Sequence, residues 1–98
     1  MTNPTFRDLR KMKREIESLF AISEREHLGS ARHARLTSLI SQYRTLRNQL
    51  EKRKQSLEDA ELDAIRASKR TQSADQREKH LQEVHRIRRE RRKLLGEI

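Results

Sequence analysis

The sequence predicts an all-α, elongated protein, a helical hairpin or three-helix rod with coiled-coil packing, and three observations carry that expectation. Leu36, Leu39, Tyr43, Leu46, Leu50, Arg53, Leu57, Ala60, Ala64 and Ala67 recur at alternating intervals of three and four, the 3.5-residue period of a helix seam. The 98 residues include only two glycines and one proline, so Arg, Glu, Gln, Leu, Lys and Ala set a high helix propensity with little to interrupt it. Apolar residues make up 32% and aromatic residues 3%, too little for a sizeable globular core, so burial must be spread along helix seams.

The first helix is predicted over residues 5–27. Thr2 and Asn3 precede Pro4, which suits a first helical turn, and Thr5 is an alternative cap. Its apolar stripe is Phe6, Leu9, Met12, Ile16, Leu19 and Phe20. Leu28-Gly29-Ser30 then reads as a left-handed C-terminal cap on Gly29, followed at once by a serine N-cap. So short a turn folds the first helix back along Leu36, Leu39, Ile40, Tyr43 and Leu46.

The second helix is predicted over residues 31–71, about 60 Å at a rise of about 1.5 Å per residue, with an apolar stripe too narrow to stand alone. Ser68 to Gln76 contains no large apolar residue, and Ser73 with Gln76 matches a capping box for a third helix over 74–97. The seam of that helix is Val84, Ile87, Arg91, Leu94 and Ile98, with Leu81 and Leu95 beside it. Continuing the earlier heptad would place His85 and Arg88 there instead, so the register shifts by about one residue. A turn absorbs the shift, and so does a stutter in one helix continuous with the second.

Charge is banded. The chain carries +9. Residues 32–54 hold seven basic side chains against Glu51 alone, and residues 86–93 hold six against Glu90. Between them lie Glu58, Asp59, Glu61 and Asp63, with no basic residue from 55 to 65. Acidic residues three positions before basic ones (Asp8–Lys11, Glu51–Lys54, Asp63–Arg66, Glu83–Arg86 and Glu90–Lys93) support exposed helix at about 0.2–0.5 kcal/mol each.

These bands supply the candidate contacts: Arg32, Arg35, Arg44, Arg47, Arg86, Arg88, Arg89, Arg92 and Lys93. Forked guanidinium donors suit phosphate or carboxylate oxygens. Arg86 to Lys93 spread around most of a helix circumference with no aromatic residue among them to stack bases, which leaves nucleic-acid backbone, an acidic protein, or the chain's own acidic band as targets. Arg53, at a seam position, either pairs across an interface or lays its aliphatic stem over the seam with its head in water. Tyr43 reads as packing, with its hydroxyl at the rim.

Catalysis finds no support. The histidines at 27, 33, 80 and 85 form no i,i+4 pair, no cysteine is present, and glycine is too scarce for a phosphate-cradling loop. No apolar run approaches a membrane span, and Asp8, Glu15 and Glu17 argue against an acid-poor transit or interfacial helix at the N-terminus. The expectation is a cytoplasmic, non-enzymatic coiled-coil adaptor or scaffold with no cofactor, metal, membrane or small-molecule substrate. It associates with itself as a homodimer through the seam of Leu36, Leu39, Tyr43, Leu46, Leu50, Arg53, Leu57, Ala60 and Ala64, or with another helical protein, and docks an acidic partner through its basic surfaces. The alternative is a nucleic-acid-binding protein whose coiled-coil dimer presents basic helices to the phosphate backbone.

Overall fold

The computed structural model describes residues 3–97, and Thr2 and Ile98, which the sequence assigned to the first cap and the last seam position, lie outside them. Three α-helices account for most of that span: α1 (Phe6–Arg25), α2 (Ser30–Arg70) and α3 (Ala74–Leu95). The described residues contain no strand. The protein is all-α.

Helix ends follow local chemistry. Thr5, the alternative cap, caps α1, and Pro4 precedes the helix rather than opening its first turn: the Thr5 hydroxyl accepts from Arg7 N–H at 3.2 Å, and the Asp8 carboxylate accepts from Thr5 N–H at 2.8 Å, closing a capping box. At the other end α1 stops at an extended Glu26 (φ −150°, ψ 161°). Gly29 is therefore not the left-handed cap that the sequence suggested, and its φ is not positive. It stands instead just before α2, its carbonyl accepting from His33 N–H at 2.9 Å. A Cβ at Gly29 would meet nothing within 4 Å.

Ser73 caps α3, accepting from Gln76 N–H at 3.4 Å. The reciprocal half of the expected capping box is missing, because the Gln76 side-chain oxygen accepts from the Thr71 hydroxyl at 3.1 Å. Gly96 takes the left-handed conformation (φ 80°, ψ 24°) and closes α3. Its N–H reaches Lys93 O at 3.1 Å, while Glu97 N–H reaches Arg92 O at 3.0 Å, the paired bonds of a Schellman motif.

The chain divides into two compact units, Met1–Leu50 and Glu51–Ile98. The first is the hairpin of α1 with the opening half of α2, and its buried residues are Leu9, Leu28, Leu36, Leu39 and Leu50. The second is the hairpin of the remainder of α2 with α3. There Ala64, Val84 and Ile87 form a buried cluster with Leu57, Ala60 and Ile65 packed against it, and Leu94 is buried as well. Ile87 is only 2% exposed, and burying a side chain of that size stabilises by about 1.5–3 kcal/mol.

Within each unit the heptad positions of α2 therefore point inward. Leu36, Leu39, Leu50 and Ala64 are buried, and Tyr43, Leu46, Leu57, Ala60 and Ala67 are half-buried. Arg53 breaks the stripe: it is exposed, so it does not act as a buried guanidinium. Phe20 departs from the stripe of α1 in the same sense, at 48% exposed.

Candidate functional site

The basic residues singled out by the sequence fall into three environments. In the second unit, Glu61 of α2 is buried, and two α3 arginines reach it. Arg88 Nε donates to its Oε1 at 2.7 Å, and Arg91 Nη1 donates to its Oε2 at 2.5 Å. The Glu61 side chain is 10% exposed, against 50% for Arg88 and 29% for Arg91. The Arg88 hydrogen bond, joined by the charges of both arginines and opposed by burial, holds the Glu61 carboxyl below its ordinary value.

Part of the arginine cluster thus serves the chain's own acidic band. Arg86 binds Glu83 one turn back; that hydrogen bond lowers the Glu83 carboxyl and raises the Arg86 guanidinium. Among the five acid-before-base pairs read from the sequence, this is the one that closes as an ion pair among the described residues. Arg92 lies 3.8 Å from Glu97, an exposed and loose contact. Arg89 and Lys93 have no anionic partner among the described residues, and Arg89 lines a shallow hollow with His85, Arg88 and Arg92.

In the first unit, Arg35 of α2 donates to Glu15 of α1 at 3.3 Å from Nε and 3.0 Å from Nη2, while Arg32 contacts Glu26 at 3.4 Å. Both pairs are exposed and contribute about 0–1 kcal/mol. Arg44 and Arg47 are placed differently. With Lys13 and Glu17 they rim a groove of about 370 Å³ whose floor is Ile16, Phe20, Ile40 and Tyr43. The Arg47 guanidinium sits 5.8 Å from the centre of the Tyr43 ring, within cation–π reach. Lys13, Arg44 and Arg47 have no ion-pair partner among the described residues.

Two features were missed in the sequence. Glu61 was grouped with Glu58, Asp59 and Asp63 without being placed on the inward face, yet Leu57, Glu61, Ala64 and Ser68 follow a four-three-four spacing that puts it there. Ser68 is buried with it, and its hydroxyl is satisfied by donating to Ile65 O at 2.7 Å. The turn between α1 and α2 also brings His27 and His33 to one hollow with Ser23, Glu26, Leu28 and Ser30, which no helical spacing foretells.

Among the described residues no group of three or more His, Asp or Glu side chains is placed to hold a metal ion, and no helix is long and apolar enough to cross a membrane. The chain matches no family model, and no curated protein or solved structure is significantly similar to it.

Proposed function

We propose that this protein is a non-enzymatic helical adaptor or scaffold that docks an acidic partner through the basic groove between α1 and the first half of α2. The observation that supports the reading is the groove itself: an apolar floor ending in an exposed Phe20, rimmed by Lys13, Arg44 and Arg47 with only Glu17 opposing them. An acidic amphipathic helix matches both parts. Its apolar residues cover Phe20 and Tyr43, and its carboxylates meet guanidinium groups that have no ion-pair partner among the described residues. The basic end of α3 is the weaker candidate, because Arg88 and Arg91 are already held by Glu61.

The rival reading, contact with nucleic-acid backbone, draws on Arg44, Arg47, Lys52, Arg53 and Lys54, which have no ion-pair partner among the described residues. Fluorescence titration with a synthetic Glu/Leu amphipathic helical peptide and with a short DNA duplex, each over a range of salt, separates the two. The docking reading expects micromolar peptide binding that drops at least ~10-fold in Arg44→Glu/Arg47→Glu, about 1.4 kcal/mol, and that keeps a salt-resistant apolar component. Tighter duplex binding, falling steeply with salt, overturns it in favour of the rival.

A further inference from the structure

We propose that the acidic surface received by this groove is carried by a second copy of the same chain, as the face of α2 around Leu62. This inference rests on the docking reading above and names its partner. Leu62 is 50% exposed, and one exposed leucine means little by itself. Its setting is what distinguishes it. Glu58, Asp59 and Asp63 lie four and three residues before it and one after, in a stretch with no basic residue from 55 to 65. Unlike Glu61, none of these three carboxylates has an ion-pair partner among the described residues, and Asp59 only accepts from the Gln55 side-chain amide at 3.0 Å.

The two surfaces are matched in kind. The groove offers an apolar floor and three cations against the single anion Glu17, and the Leu62 face offers one protruding apolar side chain beside Glu58, Asp59 and Asp63, which have no ion-pair partner among the described residues. The heptad leucines cannot easily serve the same purpose, because Leu36, Leu39 and Leu50 are already buried inside their own unit. Every copy carries one groove and one acidic face. Reciprocal use of both closes a two-fold dimer, whereas use of one per contact builds a head-to-tail chain.

Light scattering and sedimentation across the micromolar range, at low and high salt, test the inference on the full chain. Association is expected, weakened by salt, and at least ~10-fold weaker in each of Leu62→Gln, Asp59→Lys and Arg44→Glu. These side chains are all exposed, so circular dichroism should report unchanged helix in every variant. An equimolar mixture of the Asp59→Lys and Arg44→Glu chains should regain association, since the acidified groove of one then meets the basic face of the other. A monomer at every concentration overturns the inference, and so does association indifferent to the three substitutions or a mixture that fails to recover. Should the chain stay monomeric while the acidic peptide still binds, the docking reading survives and the second copy is excluded. Should neither bind, both readings fall.

Discussion

Glu61 of α2 accepts from Arg88 of α3 at 2.7 Å, a hydrogen bond that ties together two positions 27 residues apart. The partners are unequal, since the carboxylate is nearly shut off from water and the guanidinium is half in it. Removing one side is therefore not equivalent to removing the other. In Arg88→Gln/Arg91→Gln the carboxylate keeps its burial and loses both charged donors, and a cost of about 1–3 kcal/mol is expected. Glu61→Leu instead releases two arginines that reach solvent and extends the apolar run of Leu57 and Ala64, so a change below about 1 kcal/mol is expected. Urea unfolding followed by circular dichroism measures both. Equal losses in the two variants would show that the pair acts symmetrically and contradict this account.

The same contact makes stability depend on acid. The carboxyl of Glu61 lies below its ordinary value of 4.5 in the folded chain, chiefly through Arg88. A group lowered on folding contributes stability that is fully present above its unfolded value and is lost as pH falls through the folded one. The melting temperature should hold steady from neutral pH down to about 4.5 and fall below it, and Glu61→Leu should flatten that fall. Glu83 shifts in the same direction through Arg86, but that pair is exposed and its share is small. An acid profile identical in wild type and Glu61→Leu would remove Glu61 from the explanation.

The left-handed helix cap that the sequence suggested at Gly29 is found at Gly96 instead. Among the described residues Gly96 alone has a positive φ, at 80°, and it carries the closing bonds of α3. Gly96→Ala should cost about 1 kcal/mol, because a Cβ disfavours the left-handed conformation. Gly29→Ala should cost a few tenths of a kcal/mol at most, since the site is open and its backbone is not left-handed. Thermal melts of the two variants decide the matter. A larger loss at Gly29 would mean that the turn after α1 needs a left-handed residue after all.

What the sequence revealed and concealed divides along physical lines. Leu36, Leu39, Leu50, Ala64, Val84 and Ile87 were legible, because an apolar residue repeated at helical spacing has only one economical place to go. Thr5 and Ser73 were legible as caps, because each offers a side-chain oxygen where backbone donors are unpaired. Glu61 was not, since a carboxylate reads as solvent-facing until two arginines from another helix are known to meet it. The groove of Phe20 and Tyr43 was hidden for a related reason. Periodicity assigns Phe20 to the covered stripe, and only the packing of α1 on α2 leaves it half exposed.

The arginine-rich segment of α3 thus contains residues with opposite roles, and substitution should separate them. Arg88 and Arg91 hold Glu61, whereas Arg89 and Lys93 are exposed and have no anion to hold among the described residues. Glutamine has nearly the helix propensity of arginine and lysine, so a change of residue at an exposed site should register little by itself. Arg89→Gln/Lys93→Gln should stay within about 0.5 kcal/mol of wild type, while Arg88→Gln/Arg91→Gln shows the larger loss argued above. Binding of the acidic amphipathic peptide should be nearly unchanged in Arg89→Gln/Lys93→Gln, because the docking groove lies between α1 and the first half of α2. A ~10-fold drop in that variant, with stability intact, would move the docking surface to the end of α3 and displace the groove of Arg44 and Arg47 from the role assigned to it.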